Sequence, residues 1–341
     1  MKIDTHSHAI PKEIVDIWRK EPMKYGYRLE ETPDGILKTV DRLDKRGALY
    51  KGLYDVKTRL ADLNARGVDA EVITPSPETI IYNMPIGETL GYNQKVNDAV
   101  VAMCREAPDR LFPAGTLPVH DVSAACTELK RIVKEYNIHL VQVGTSVNGL
   151  YYDEPEFLPL FQLCEELEVM ILFHPRKFFT GVTPGPYYLT NLLGNPLDTT
   201  VSAARIVLGG VLKKCPRSKL LFSHGGGYLP YQRGRIEHGF RMREDVRAGL
   251  GDTDPAEYLD ELYFDTITHS SKALAYLITT QGPDHIILGS DYPWDMADVR
   301  NPDEILDLPD LGTAEKEKIL SQNILKILKK KSLTGSNLVI Y

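Results

Sequence analysis

The 341-residue chain has no apolar run of the roughly 18–20 residues that a membrane helix requires. Asp4, His6 and His8 stand where a secretory signal would need an apolar stretch, so the expected location is cytoplasmic. Cysteine is scarce. Cys104, Cys126, Cys164 and Cys215 are widely spaced and form no C-x-x-C, which predicts free thiols and argues against disulfides or a zinc cluster. Basic charge is short as well: a formal net charge of −7 provides no cationic footprint for nucleic acid or an anionic membrane, leaving a small molecule as the expected partner. Phosphate-cradling loops are also missing. No G-x-G-x-x-G follows the first strand, and Gly225-Gly226-Gly227 lacks the P-loop lysine, so this triplet is expected to serve a sharp turn or a close backbone approach.

What the chain does contain is an alternation of short apolar runs with longer amphipathic ones. The predicted strands are Lys2–Asp4, Ala70–Thr74, Leu111–Leu117, His139–Gly144, Val169–Phe173, Lys219–Ser223, Leu262–Asp265 and His285–Gly289. Between them Val56–Arg66, Gln94–Ala107, Val122–Tyr136, Pro155–Leu167, Thr200–Lys214 and Ser271–Gln281 carry apolar residues near helical spacing. Strands that are apolar almost throughout are buried on both faces, as in a parallel sheet. Eight such units predict an α/β fold of the closed (β/α)8 TIM-type barrel kind, since closure leaves no edge strand. The expected domain is 1–331, with insertions at the barrel mouth over 11–55 and 176–198, a closing helix over Ile319–Leu328 and a tail over 332–341.

In a barrel of this kind chemistry gathers at the C-terminal ends of the strands. His6 and His8 lie at the end of the first, and positions i and i+2 share a strand face about 6–7 Å apart, within reach of one cation. The fifth run ends in His174, the sixth in His224, the seventh in Asp265 with His269 four residues later, and the eighth in Asp291. Imidazoles and a carboxylate suit one divalent ion, Zn²⁺ first and Mn²⁺ second, with a place left for water. The fourth run ends without lysine or a carboxylate, which favours one metal over two. His224, followed by the glycine triplet, is assigned the acid/base role beside metal-activated water.

The stretches Met1–His8, Gly115–Pro118, Val141–Thr145, Phe173–Pro175, Ser223–Gly227, Arg233–Phe240 and Leu288–Pro293 occur in an order that resembles the amidohydrolase superfamily. Within it the chain is similar to the non-hydrolytic, 2-amino-3-carboxymuconate-6-semialdehyde decarboxylase-like branch. The resemblance implies a metal held by His6, His8, His174 and Asp291, with His224 moving a proton beside Asp291. It also implies a homodimer in which Arg235 reaches the neighbouring site to hold a carboxylate, a task its planar fork suits. Where the family places a second carboxylate-binding arginine, this chain has Lys38, with Arg42 and Arg46 nearby; Arg176 and Lys177 follow His174-Pro175, and Trp294 takes the aromatic lining position. The expected activity is metal-dependent, non-oxidative decarboxylation of a small carboxylated aromatic or muconate-type acid. The alternative is a hydrolase of amides or lactones, or a hydratase, that uses the same activated water.

Overall fold

A computed structural model describes residues 1–33, 35–40, 45–176 and 186–330. Eight parallel strands form the frame: β1 (Ile3–Ala9), β2 (Ala70–Pro75), β3 in two segments (Leu111–Pro113 and Gly115–Thr116), β4 (Leu140–Gly144), β5 (Met170–His174), β6 (Lys219–Phe222), β7 (Tyr263–Asp265) and β8 (Ile286–Ile287). Each pairs with the next, and Ala114 N–H donating to the Ile73 carbonyl at 2.9 Å joins the halves of β3. The chain after β8 closes the ring. Thr5 N–H donates to Leu288 O at 2.8 Å, and Asp291 N–H to His6 O at 2.8 Å. The TIM-type barrel expected from the eightfold alternation is therefore present.

Alternation of side chains sorts each strand between two apolar clusters. Leu140, Met170, Leu172, Leu221 and Ile287 meet inside the barrel, while Val141, Val143, Ile171, Phe173, Leu220 and Phe222 pack outward against helix residues such as Leu129, Phe161, Ile206 and Leu274. The helices begin where short polar side chains satisfy free N–H groups. Asp55 caps Val56–Ala65, Asp121 caps Val122–Tyr136 and Ser270 caps Ser271–Gln281. The thiols of Cys104, Cys126, Cys164 and Cys215 are free.

β1 departs from simple alternation in a way that matters for the site. Asp4 pairs with Glu71 and Ser7 with Ile73, so Thr5 and His6 together oppose Val72. This bulge reverses the phase of the strand. Ile3 joins the interior cluster, whereas four residues further on Ser7 bonds the Val72 carbonyl at 3.0 Å and Ala9 packs outward with Val56 and Leu63. His6 and His8 are thereby turned toward the barrel axis. The predicted first strand stopped at Asp4, but the observed one runs to Ala9 and carries both histidines within it.

The first insertion is not a loop. Lys12–Lys20 is a helix that buries Ile14, Val15 and Trp18, and Tyr27–Thr32, Gly35–Val40 and Lys45–Leu49 form an antiparallel three-stranded sheet. Alternating Leu29, Ile36 and Leu49 give that sheet an apolar face, which packs with Trp18, Tyr92 and, at the edge, Trp294. In the second insertion the described residues from 186 onward make a turn over Thr190–Gly194 and enter the helix Asn195–Leu208. The tail 332–341 lies outside the described residues.

Candidate active site

The interior side chains at the C-terminal rim converge. His6, His8, His174 and Asp291, all buried, bring one ligand atom each to within 4.8 Å of one another. His6 Nε2 and His8 Nε2 are 3.1 Å apart, and Asp291 Oδ1 lies 2.9 Å from His8 Nε2, 3.5 Å from His6 Nε2 and 3.8 Å from His174 Nε2. Ligand atoms held at 2.0–2.2 Å from a tetrahedral cation stand about 3.3–3.6 Å apart, so these spacings fit one ion.

Proton bookkeeping supports the same conclusion. His6 Nδ1 donates to Asp265 Oδ2 at 2.7 Å and His174 Nδ1 to the Pro175 carbonyl at 2.9 Å, which in a neutral ring leaves each Nε2 with a bare lone pair. His8 follows by elimination. The one hydroxyl proton of Thr74 goes to Ser7 O at 2.8 Å, so Thr74 Oγ1, 3.0 Å from His8 Nδ1, accepts there and His8 Nε2 is also bare. Among the described residues His174 Nε2 is buried with no hydrogen-bond partner, a costly arrangement that a cation would satisfy. The donor set therefore fits a divalent metal.

Electrostatics follow from this enclosure. Burial pushes the His8 imidazole down to about 4 and His174 well below its ordinary range. For His6 burial acts downward too, but the Asp265 carboxylate outweighs it and raises the group. At Asp291 burial acts upward and is overcome by the surrounding imidazoles of His174, His224 and His8, which hold the carboxyl well below the usual carboxylate range.

His224 stands beside this cluster. Its Nε2 is 3.6 Å from Asp291 Oδ2 and its Nδ1 is 3.2 Å from Ser223 Oγ. Both His224 and Asp291 adopt left-handed backbone conformations, with φ of 56° and 63°. Asp265 makes the turn at His224 rigid: its Oδ2 accepts from His224 N–H at 3.0 Å as well as from His6, and its Oδ1 accepts from Gly225 N–H at 2.8 Å. Gly227, with φ of 64°, leaves no room for a Cβ, which would stand 2.1 Å from Pro196 O. The glycine triplet thus serves the turn. A cavity of about 580 Å³ opens from His224 and Asp291 and is walled by Tyr228, Tyr231, Ile267 and Leu277.

The other expected residues separate. Trp294 lies 6.5 Å, centroid to centroid, from His8. Lys38 reaches Trp294, yet its ammonium is paired with Glu78. Arg176 donates to Pro77 O at 3.2 Å and sits 5.6 Å from the Tyr82 ring. Arg235 is exposed on the helix Leu229–Met242, Lys177 and Arg42 fall outside the described residues, and His269 faces Asp298 at 3.8 Å, apart from the metal-ligand cluster. Sequence reasoning assigned no role to Asp265, Thr74 or Glu78. Asp265 was visible as a polar strand end; Thr74 lies within β2 and Glu78 just after it, where the sequence gave no charged or imidazole strand end as a signal.

The fold and the convergence of His6, His8, His174 and Asp291 define a barrel that carries a donor set for a divalent metal at its mouth. The amidohydrolase family profile matches residues 3–330, and the chain belongs to that family. It is 30% identical to the 2-amino-3-carboxymuconate-6-semialdehyde decarboxylase of Dictyostelium discoideum, over 96% of this chain and 91% of that one. The 5-carboxyvanillate decarboxylase of Sphingomonas paucimobilis superposes with a TM-score of 0.82 at 22% identity, covering 96% of this chain and 99% of the other. A dihydroxybenzoic acid decarboxylase from Polaromonas, solved with manganese and 2-nitroresorcinol, gives 0.76 at 21% identity, covering 96% of each chain.

Proposed function

We infer that the protein is a metal-dependent carboxy-lyase that removes CO₂, without net oxidation, from a small carboxylated aromatic or muconate-type acid. The observation that carries this reading is a likeness to a decarboxylase over 96% of the chain, in a protein whose barrel mouth gathers three imidazoles and Asp291 beside a largely apolar cavity. His6, His8, His174 and Asp291 would hold the ion. A divalent cation there supplies positive charge that draws in substrate oxygens and eases loss of a proton from water. Three imidazoles and one carboxylate favour Zn²⁺, and the Polaromonas relative holds manganese, so both are to be tested.

Direct loss of CO₂ would leave a localised carbanion, so the carbon bearing the carboxylate must be protonated first. His224 borders the cavity and is 3.6 Å from Asp291 Oδ2, which suits it to deliver that proton. The C–C bond then breaks, its electron pair returns to the conjugated system and CO₂ departs. The cavity's mostly apolar walls suit the conjugated body of such an acid. Arg235, exposed on its helix, is assigned to a neighbouring protomer's site in a homodimer, where its fork would hold a carboxylate.

Measured CO₂ release from a panel of aromatic and muconate acids tests the reading. Turnover of an amide or lactone with no CO₂ from any acid would replace it with a hydrolase. For the shared site, Arg235→Ala and His174→Ala proteins are mixed. Regained activity is expected, and its absence would argue for sites complete within each chain.

A further inference from the structure

His269, which follows the end of β7, lines the same cavity as His224 and Asp291, and the proposed reaction gives it no part. Its loop is anchored to both of those residues. On one side Asp265 Oδ1 accepts from Ile267 N–H at 3.2 Å as well as from Gly225 N–H at 2.8 Å, so the β7 loop and the His224 turn share one carboxylate. On the other, Asp298 N–H donates to Ser290 O at 2.7 Å, next to Asp291, and Asp298 Oδ2 accepts from His269 N–H at 3.2 Å. Between these anchors His269 adopts a left-handed backbone with φ of 53°, a sparsely populated conformation that its surroundings must hold. The ring also has a fixed polarity. Its Nδ1 is 3.8 Å from Oδ2 of the nearly buried Asp298. A carboxylate accepts and never donates, so its field places the proton of the neutral ring on Nδ1 and leaves Nε2, the far edge, with a bare lone pair. The neighbouring hydroxyls in the cavity wall are committed: Thr268 donates to Ser270 O at 3.1 Å, Tyr228 to Leu193 O at 3.2 Å and Tyr276 to Pro230 O at 3.2 Å.

We propose that His269 is a specificity-determining residue for unsaturated acids that carry a hydroxyl or amino group: its Nε2 accepts a hydrogen bond from that group inside the cavity it shares with His224 and Asp291. The proposal rests on the carboxylic-acid reading above and narrows its substrate class. A hydroxylated aromatic acid and an amino-substituted muconate-type acid both supply the donor. An unsubstituted or etherified ring supplies none, and displaces water from Nε2 without replacing its hydrogen bond. The Asp298 carboxylate behind the ring makes the Nε2 lone pair a better acceptor, because the two polar groups polarise one another in a site partly withdrawn from solvent.

The test is calorimetric titration of metal-loaded protein with benzoate, 3-hydroxybenzoate and 4-hydroxybenzoate. Wild-type protein is expected to bind at least one hydroxybenzoate about fivefold or more tighter than benzoate, a ratio within reach of one hydrogen bond. Asparagine tolerates the left-handed backbone and is too short to reach the Nε2 position, so H269N should cut that preference to under about twofold while moving benzoate itself less than about twofold. Glutamine extends an amide oxygen to the same depth, and H269Q should keep the preference at about threefold or more. No hydroxyl preference in wild type, a preference unchanged in H269N, a loss in H269Q as complete as in H269N, or no binding of any probe overturns the proposal. CO₂ release is scored separately. A working decarboxylase whose hydroxyl preference ignores H269N sinks the His269 assignment alone, and a preference that follows His269 without CO₂ release from any acid sinks only the decarboxylase.

Discussion

Asp265→Asn separates the metal-ligand network from simple packing. In the wild-type protein one buried carboxylate accepts from His6 Nδ1 at 2.7 Å and from the backbone N–H groups of His224 at 3.0 Å, Gly225 at 2.8 Å and Ile267 at 3.2 Å. Asparagine keeps one accepting oxygen, which can serve Gly225 and Ile267, but replaces Oδ2 with an NH₂. That group faces two donors. His6 can answer by moving its proton to Nε2, which turns a metal lone pair into an N–H; the His224 amide has no such escape. Loss of an orienting partner to a metal-bound histidine costs about 10–100-fold in metal affinity. The unsatisfied His224 N–H adds about 1–3 kcal/mol of lost stability and frees the turn that places the His224 ring. Competition of the variant against a chromophoric chelator for Zn²⁺ reads the first effect, and kcat at saturating metal reads the second. Wild-type metal affinity and wild-type kcat in a protein with a lowered Tm would refute the reasoning, because Asp265 would then be a packing residue.

Three further predictions use other parts of the site and scaffold. His174→Ala and Asp291→Asn each remove one of four converging donors, and elemental analysis after dialysis should find well under one equivalent of metal; a full equivalent in both would contradict the ligand set. His224→Ala should keep its metal and lose turnover by about 10²–10⁴-fold, the usual contribution of a positioned proton donor, whereas unchanged kcat would remove it from the mechanism. Asp55 caps its helix by accepting from Thr58 Oγ1 at 2.6 Å and Thr58 N–H at 2.7 Å, and these bonds hold its carboxyl below the ordinary range. Its contribution is therefore present above the unfolded-state value near pH ~4 and lost as pH falls through the lower folded value. Denaturant melts should show Asp55→Ala about 1 kcal/mol less stable at neutral pH, with the difference shrinking in acid; a constant difference would place the effect elsewhere.

Near-continuous apolar runs and helical patterns reveal the barrel because each strand is buried on both faces and each helix on one. The convergence of His6, His8, His174 and Asp291 was equally legible, since all four follow or end apolar runs. What the pattern hid is register. Ile3 and His6 have opposite parity along β1, yet the bulge at Thr5 and His6 turns both inward, and only pairing with β2 reveals it. The insertion sheet escaped for a different reason: Leu29, Ile36 and Leu49 lie in strands of five or six residues interspersed with charged residues and glycine, which reads as a solvated loop. Lys38 looked available because its partner Glu78 is forty residues away in sequence.

The residues that orient the ligands were the least legible and bear most on how the site is built. His6, His8 and His174 each have one nitrogen committed, to Asp265 on β7, Thr74 on β2 and the Pro175 carbonyl after β5. Asp265 and Thr74 come from other strands, so neither can be inferred from local spacing, and together with the adjacent Pro175 carbonyl they leave three Nε2 atoms facing one point. The bonds that close the barrel join the same residues: His6 O accepts from Asp291 N–H at 2.8 Å, and His8 N–H donates to Tyr292 O at 2.7 Å. Closing β8 against β1 therefore carries Asp291 to the two histidines. Ligand geometry and barrel closure are one set of hydrogen bonds, which is why the donor set is in place before any ion arrives.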